Sequence, residues 1–173
     1  MSKKLKIYNL KFIIKKGKKR VINLSAGKKY LVRLTERGAE VMINCKIKAK
    51  EKEAVSVDCD VVHEAARTKA IICLKGVARD AARIKISGKV MVNKGAIKSE
   101  DLLEERLLLI GNTAGGEAEP VLEIEEDEVN IKHAASIGQV DDWQIFYLGT
   151  RGISMKSAVK LLMESFLDNG QRE

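Results

Sequence analysis

Aromatic residues, proline, histidine and cysteine are all scarce in this chain, and each shortage narrows what it can be. Of 173 residues only three are Phe, three Tyr and one Trp, although 45% are hydrophobic. A core must therefore be assembled from Val, Ile, Leu and Ala, which suits stacked short strands. Two histidines leave few candidates for acid–base work. No GxSxG, GxxxxGK(S/T), HExxH or dinucleotide-binding glycine pattern occurs. The chain is therefore expected not to be an enzyme. The three cysteines, Cys45, Cys59 and Cys73, are odd in number and show no CxxC spacing. With a basic N-terminus in place of a signal sequence, they predict a reduced, cytoplasmic setting. No apolar run approaches the roughly 20 residues that a membrane-spanning helix needs, so no membrane is expected among the partners. The length fits one domain, which can bury about 70% of the surface its unfolded chain exposes.

What the chain does have is charge, unevenly placed. Residues 1–52 hold 17 Lys/Arg against 3 Asp/Glu, a balance of +14, and residues 53–173 hold 15 against 21, a balance of −6. A basic third can bind nucleic acid by releasing counterions from phosphate, so a β-rich nucleic-acid-binding protein using residues 1–52 is the alternative reading. Only Tyr8, Phe12 and Tyr30 interleave with those charges, and no RNA or DNA motif is present. A solvated sheet face that keeps edges from aggregating is the simpler explanation, and nucleic acid is not the partner expected.

From Lys4 to about Lys132 apolar residues recur at every second position, the period of a strand with one buried face. Val41, Ile43, Cys45 and Ile47 fall on one side. Val55, Val57, Cys59 and Val61 do likewise against Ser56, Asp58 and Asp60, as do Ile84, Ile86, Gly88, Val90 and Val92. Shorter strands are predicted at Leu107–Ile110, Val121–Ile124 and Val129–Ile131, with Pro120 opening one of them. Glycines mark many turns, but Asn-Gly and Asp-Gly hairpin loops are missing. A parallel β-helix accommodates many aliphatic strands without tight hairpins, and a sandwich or barrel is the competitor. The cysteines lie 14 residues apart in both intervals. With two strands per coil, Cys45 and Cys73 fall on one sheet and Cys59 on the other, and Cys45 and Cys59 read as small buried hydrophobes.

After His133 the period turns helical. Asp141 caps a helix, with Gln144 placed for a capping box. Gly152 ends that turn and Ser154 caps a second helix, whose apolar stripe is Ala158, Leu161, Leu162, Ser165 and Phe166. His63, at a strand end, reads as a hydrogen-bonded turn histidine. His133 continues the parity of Val129 and Ile131, which predicts a partly buried imidazole where sheet gives way to helix, available to a metal or a partner.

At this junction the residues resemble a known family. The stretches are Pro120-Val-Leu-Glu-Ile, Val129-Asn-Ile-Lys-His133-Ala-Ala-Ser-Ile-Gly138-Gln, Ile145-Phe-Tyr-Leu and Arg151-Gly-Ile-Ser154. Upstream, His63-Glu-Ala-Ala-Arg-Thr68, Lys75-Gly-Val, Ala82-Arg83, Gly88-Lys-Val, Gly95-Ala-Ile-Lys and Leu107-Leu-Leu-Ile-Gly111 follow in register. Together, over about residues 25–166, they resemble the SufB/SufD core, the scaffold of the Suf iron–sulfur cluster assembly system. The resemblance implies a right-handed parallel β-helix over residues 1–138 and two short C-terminal helices within 139–173. It also implies dimerisation through the core, with itself or a SufB-like subunit, and docking of a SufC-like ABC ATPase by the helices. Trp143, Phe146, Tyr147, Arg151 and Ile153 are the expected docking residues. The cargo implied is a transient iron–sulfur cluster or iron. Family members are usually longer, with an N-terminal helical region and more coils. Where a SufB-like cysteine would precede the Leu-Leu-Ile-Gly stretch, this chain has Glu105 and Arg106, so it is closer to SufD. His133, matching a histidine the family keeps beside the dimer interface, is the first candidate metal ligand, and Glu105 is the second.

Overall fold

A computed structural model describes residues 8–17 and 19–168; the predicted start of the alternation at Lys4 lies outside them. Eleven strands precede two helices: β1 (Leu10–Ile14), β2 (Arg20–Leu24), β3 (Lys28–Leu34), β4 (Glu40–Ala49), β5 (Ala54–His63), β6 (Lys69–Arg79), β7 (Arg83–Val92), β8 (Glu100–Ile110), β9 (Gly115–Ala118), β10 (Val121–Ile124) and β11 (Asn130–Gln139), then α1 (Asp142–Thr150) and α2 (Met155–Asp168). Every strand pairing among them is parallel. One sheet, here sheet A, runs β1-β3-β5-β7-β10 with β9 also on β7; sheet B runs β11-β8-β6-β4-β2. The chain thus winds a β-helix of about four turns, as the alternation predicted, and the parallel pairing removes the sandwich and the barrel.

Stacking puts like residues in columns between the two sheets. Phe12, Val32, Val61, Val90 and Leu122 form one column in sheet A. Ile22, Ile43, Ile72 and Leu103 form another in sheet B. Branched aliphatics suit both the pleated strand and the thin interior. The cysteines divide as expected, Cys45 and Cys73 on sheet B and Cys59 on sheet A.

The corners use a backbone device that the glycine pattern only half disclosed. Gly38, Arg67 and Lys98 recur at successive A-to-B corners with φ of 74°, 58° and 57°, and Glu51, Asp80 and Gly111 at B-to-A corners with φ of 60°, 61° and 89°. Each turn's corner donates to the next: Gly38 N–H to Ala66 O, and Arg67 N–H to Ile97 O. Four non-glycine residues thus accept the left-handed conformation because the stacked backbone hydrogen bonds hold it.

Two strands run longer than the periodicity indicated. β8 begins at Glu100, well before Leu107, and β11 continues to Gln139, past the point where the pattern turned helical. In both cases pairing with the preceding turn overrides local preference, since β11 is in register with β8 over its whole length. Sheet A, by contrast, breaks between β9 and β10, where Pro120 has no N–H to donate.

Both helices start where expected. Asp141 Oδ1 accepts from Trp143 N–H at 2.9 Å, so the cap is the aspartate's own and Gln144 contributes only its backbone. Ser154 Oγ accepts from Ser157 N–H at 3.3 Å. Helix α2 lies on the outer face of sheet B, where Lys75 Nζ donates to Phe166 O at 2.9 Å and Lys46 pairs with Asp168. Ala158 and Leu167 are buried there, whereas Leu161 and Ser165 of the predicted stripe are exposed, because the contact with the sheet is narrower than the stripe.

Replacing Glu51 by Gly should stabilise the protein by about 1 kcal/mol, because the exposed side chain contributes little and the left-handed conformation no longer carries a Cβ penalty. Urea unfolding of the two proteins measures the difference; a lower midpoint for the variant would contradict this account of the corner.

Candidate functional site

Functional candidates gather at the C-terminal end of the solenoid. There β11 pairs, among the described residues, only with β8 and forms the edge of sheet B. By register His133 continues the column Ile22–Ile43–Ile72–Leu103, so it lies on the inner face. Its side chain is nevertheless exposed, as are Ala135 and Ile137 on the same face. Partial burial of His133, expected from its parity, is thus corrected. Parity places it correctly, but β11 belongs to the last turn of the solenoid, and among the described residues no further turn stacks on it.

Glu105 lies two register positions away on β8, at the end of the column Leu24–Cys45–Leu74. It is fully buried. Its Oε1 accepts from Gly88 N–H at 2.5 Å, and its Oε2 has no partner. Gly88 is required here, since a Cβ would stand 2.7 Å from that Oε1 and 2.7 Å from Leu103 Cδ1. Gly88 sits opposite the break in sheet A, so the carboxyl takes a donor that a continuous strand would have used. Burial pushes the Glu105 carboxyl up from 4.5 to about 7, against the lowering effect of the Gly88 N–H. The sequence carried a signal for this burial in the parity that Glu105 shares with Leu103 and Leu107.

The same parity flags Asp101, which sequence reasoning passed over. His63, sealed inside an A-to-B corner, places Nε2 3.0 Å from Asp101 Oδ2 and Nδ1 2.7 Å from Thr68 Oγ1, which is itself 2.8 Å from Ser99 Oγ. The turn-histidine reading of His63 fits this network. Burial raises the Asp101 carboxyl's pKa, opposed by the hydrogen bond from His63. Asp101 and Glu105 are four residues apart on one strand, roughly 13 Å, so they do not share a ligand.

Metal-binding capacity within one chain is correspondingly thin. Among the described residues no group of three or more His, Cys, Asp and Glu side chains is close enough to hold a metal ion. Cys45, Cys59 and Cys73 are buried and in no disulfide. Burial pushes the Cys45 thiol up to about 12 and raises that of Cys73, which keeps both protonated at neutral pH and poor as thiolate ligands. Glu105 and His133 share a face but supply only one oxygen and one imidazole.

Helix α1 is the second candidate surface. None of its residues is buried. Trp143 is 75% exposed, Phe146 62% and Tyr147 58%. The Trp143 and Phe146 rings meet edge to face at 5.8 Å, and the Arg151 guanidinium lies 5.4 Å from the Tyr147 ring centre. Four of the five expected docking residues therefore form one exposed aromatic–cationic patch, with Ile153 half-buried at its end. A 9-residue helix burying nothing gains little from its own fold.

Among its described residues the basic third does not present a stacking platform. Tyr30 is buried with its hydroxyl bonded to Ser25, Tyr8 donates to Asp60, and Phe12 is half-buried beneath Arg20. Lys15, Lys29, Arg33, Lys46 and Lys50 are ion-paired to acidic side chains.

Comparison with known proteins gives these features a setting. Residues 21–166 match the family described as SUF system FeS cluster assembly, SufBD core domain. The iron–sulfur cluster assembly protein SufD of Bacillus subtilis is 36% identical over 107 residues, 62% of this chain and 24% of that protein. SufD of Escherichia coli is 36% identical over 92 residues, covering 53% and 22%. An iron–sulfur cluster assembly SufBD family protein of Mycobacterium bovis is 31% identical over 120 residues, covering 69% and 14%. The matched region spans less than a quarter of the length of each of these relatives.

Glu105 makes stability depend on pH in a definite direction. Its carboxyl is easier to deprotonate unfolded, near 4.5, than folded, near 7. Its burial is therefore harmless below the first value, costs progressively more between the two, and reaches its full cost above the second. Glu105→Gln should be more stable than the parent by ~2–3 kcal/mol near pH 8, with the gap closing toward pH 4. Denaturant titrations across that range check it; a gap independent of pH would show that Glu105 titrates alike in the folded and unfolded chain.

Proposed function

Because the chain belongs to the SufBD core-domain family of the SUF iron–sulfur cluster assembly system and is SufD-like within it, we propose that it is a scaffold component of that assembly. In this reading the protein performs no catalysis itself. The β-helix dimerises, with a second copy or a SufB-like subunit, through the β11 edge. Helix α1 and the start of α2 dock a SufC-like ABC ATPase, which supplies the mechanical work. The division follows the chain, with residues 1–138 as scaffold core and 139–173 as docking segment.

The observation that carries this reading is the contrast between α1 and everything before it. A solenoid with a sealed aliphatic interior is followed by a helix that buries none of its side chains and turns Trp143, Phe146 and Tyr147 outward. Clustered Trp, Tyr and Arg are the side chains most enriched among residues that dominate binding energy. The β11 edge supports the dimer in the same way, offering unpaired backbone and exposed Ile137.

For the cargo, an iron–sulfur cluster or iron, one chain provides too few ligands, and thiolates are the ordinary cluster donors. His133, exposed beside the dimer edge, lends an imidazole to a site that the partner subunit completes, while Glu105, sealed within the preceding turn, adds no ligand to it as it stands. The protein thus acts as a transient holder and not as a resident carrier. The nucleic-acid reading is not favoured, because the aromatics within the basic third are engaged in intramolecular packing and hydrogen bonds.

Affinity for a SufC-like ATPase tests the docking directly. Trp143→Ala with Phe146→Ala should weaken binding by at least ~2 kcal/mol, or about 30-fold, in titration calorimetry. Unchanged affinity in that variant, or no binding by the parent, would remove the docking claim.

His133 has its own readout. Anaerobic reconstitution of the dimer with iron and sulfide should give visible absorbance that falls at least twofold in His133→Ala, with the quaternary state unaltered. Equal spectra would return His133 to a purely structural place on the edge.

A further inference from the structure

Among the described residues the solenoid ends in edge strands on both sides, and the two ends are oppositely charged. At the N-terminal end β1 and β2 are each paired, among the described residues, on one side only. They leave Leu10, Ile13 and Val21 exposed. The sequence from Asn9 to Thr35 contains no acidic residue. Lys16 and Lys19, in the β1–β2 connection, are exposed. At the C-terminal end β10 is the edge of sheet A, with Val121 and Ile124 exposed. Residues 115–129 hold seven acidic residues and no Lys or Arg. Lys85, Lys89 and Lys98 from the preceding turn pair with some of these, but three lysines against seven acids leave the end negative.

A stacked-strand protein normally finishes each end with a polar capping turn, because an uncapped turn exposes both interior and edge. Neither end here is finished in that way among the described residues. An unpaired edge beside exposed aliphatics templates a further strand, and the charges select which strand. Two N-terminal ends would repel, as would two acidic β10 edges. An N-terminal end facing a C-terminal one joins unlike charges, and it continues the parallel order, with β1 following β10.

We propose that the N-terminal end of the solenoid is a docking surface for the acidic β10 edge of a second copy of this chain, giving a head-to-tail stack. The contact is heterologous: each copy uses a different surface, so addition does not stop at two. It is independent of the closed dimer through β11 but engages the same end of the molecule, so a given C-terminal end takes part in one assembly or the other. Because opposite charges select the contact, low ionic strength favours the stack.

Sedimentation velocity of the full chain over a concentration series distinguishes the two. At about 50 mM salt, species larger than a dimer should accumulate with concentration, and they should recede at about 500 mM. Lys16→Glu with Lys19→Glu sets two acids against the acidic end, and Glu125→Lys with Asp127→Lys sets two bases against the basic end. All four positions are exposed, so the fold is retained. Each pair should weaken the stack roughly tenfold, and a chain carrying all four substitutions should recover it, since the exchanged charges again face their opposites. A parent that stops at two copies at low salt supports the closed dimer and overturns the stack. Failure of the four-substitution chain to recover would equally overturn the pairing of these two ends.

Discussion

Parallel pairing of each strand with the strand one turn earlier forces residues about thirty positions apart into single columns, and the rest of the molecule answers to that constraint. Where a column is aliphatic throughout, as from Ile22 to Leu103, it makes the core. Where a column changes chemistry at its last step, it makes the features that bear on function. Leu24, Cys45 and Leu74 lead to Glu105, and the Ile22 column leads to His133.

The buried polar groups follow the same rule. Asp101 and Glu105 have the parity of core residues and so point inward, and each has to find a partner inside. Asp101 finds His63 at a corner. Glu105 finds a backbone N–H released by the interruption at Pro120, on a glycine small enough to admit it. Each carboxylate still keeps one oxygen without a partner. Solenoid turns are locally independent, so such costs fall on the last turns and spare the stack below.

Along its length the chain separates a sealed part from an open one. Its middle turns seal an aliphatic interior. Its last strand and first helix bury almost nothing. Burial keeps the thiols of Cys45 and Cys73 protonated.

Much of this was readable in the sequence because a period of two is a local signal. The alternation through Val41–Ile47, Val55–Val61 and Ile84–Val92 determined the strands and their buried faces and, with hairpin loops missing, favoured the β-helix over a sandwich or barrel, which only the parallel pairing removed. Asp141 and Ser154 marked the helix starts, since capping is decided within a few residues. Other features depended on neighbours a full turn away. Stacked corners hold Glu51, Arg67, Asp80 and Lys98 in a conformation that the sequence assigns to glycine. Pairing with β8 carries β11 on to Gln139 through a stretch whose local pattern is helical. Parity alone assigned His133 to the inner face, but whether that face is covered rests on whether another turn stacks on β11. The sequence by itself therefore determined the direction in which His133 and Glu105 point. Only the stacked structure decided that one meets solvent and the other a sealed interior, because burial is a property of the turns on either side and not of the strand.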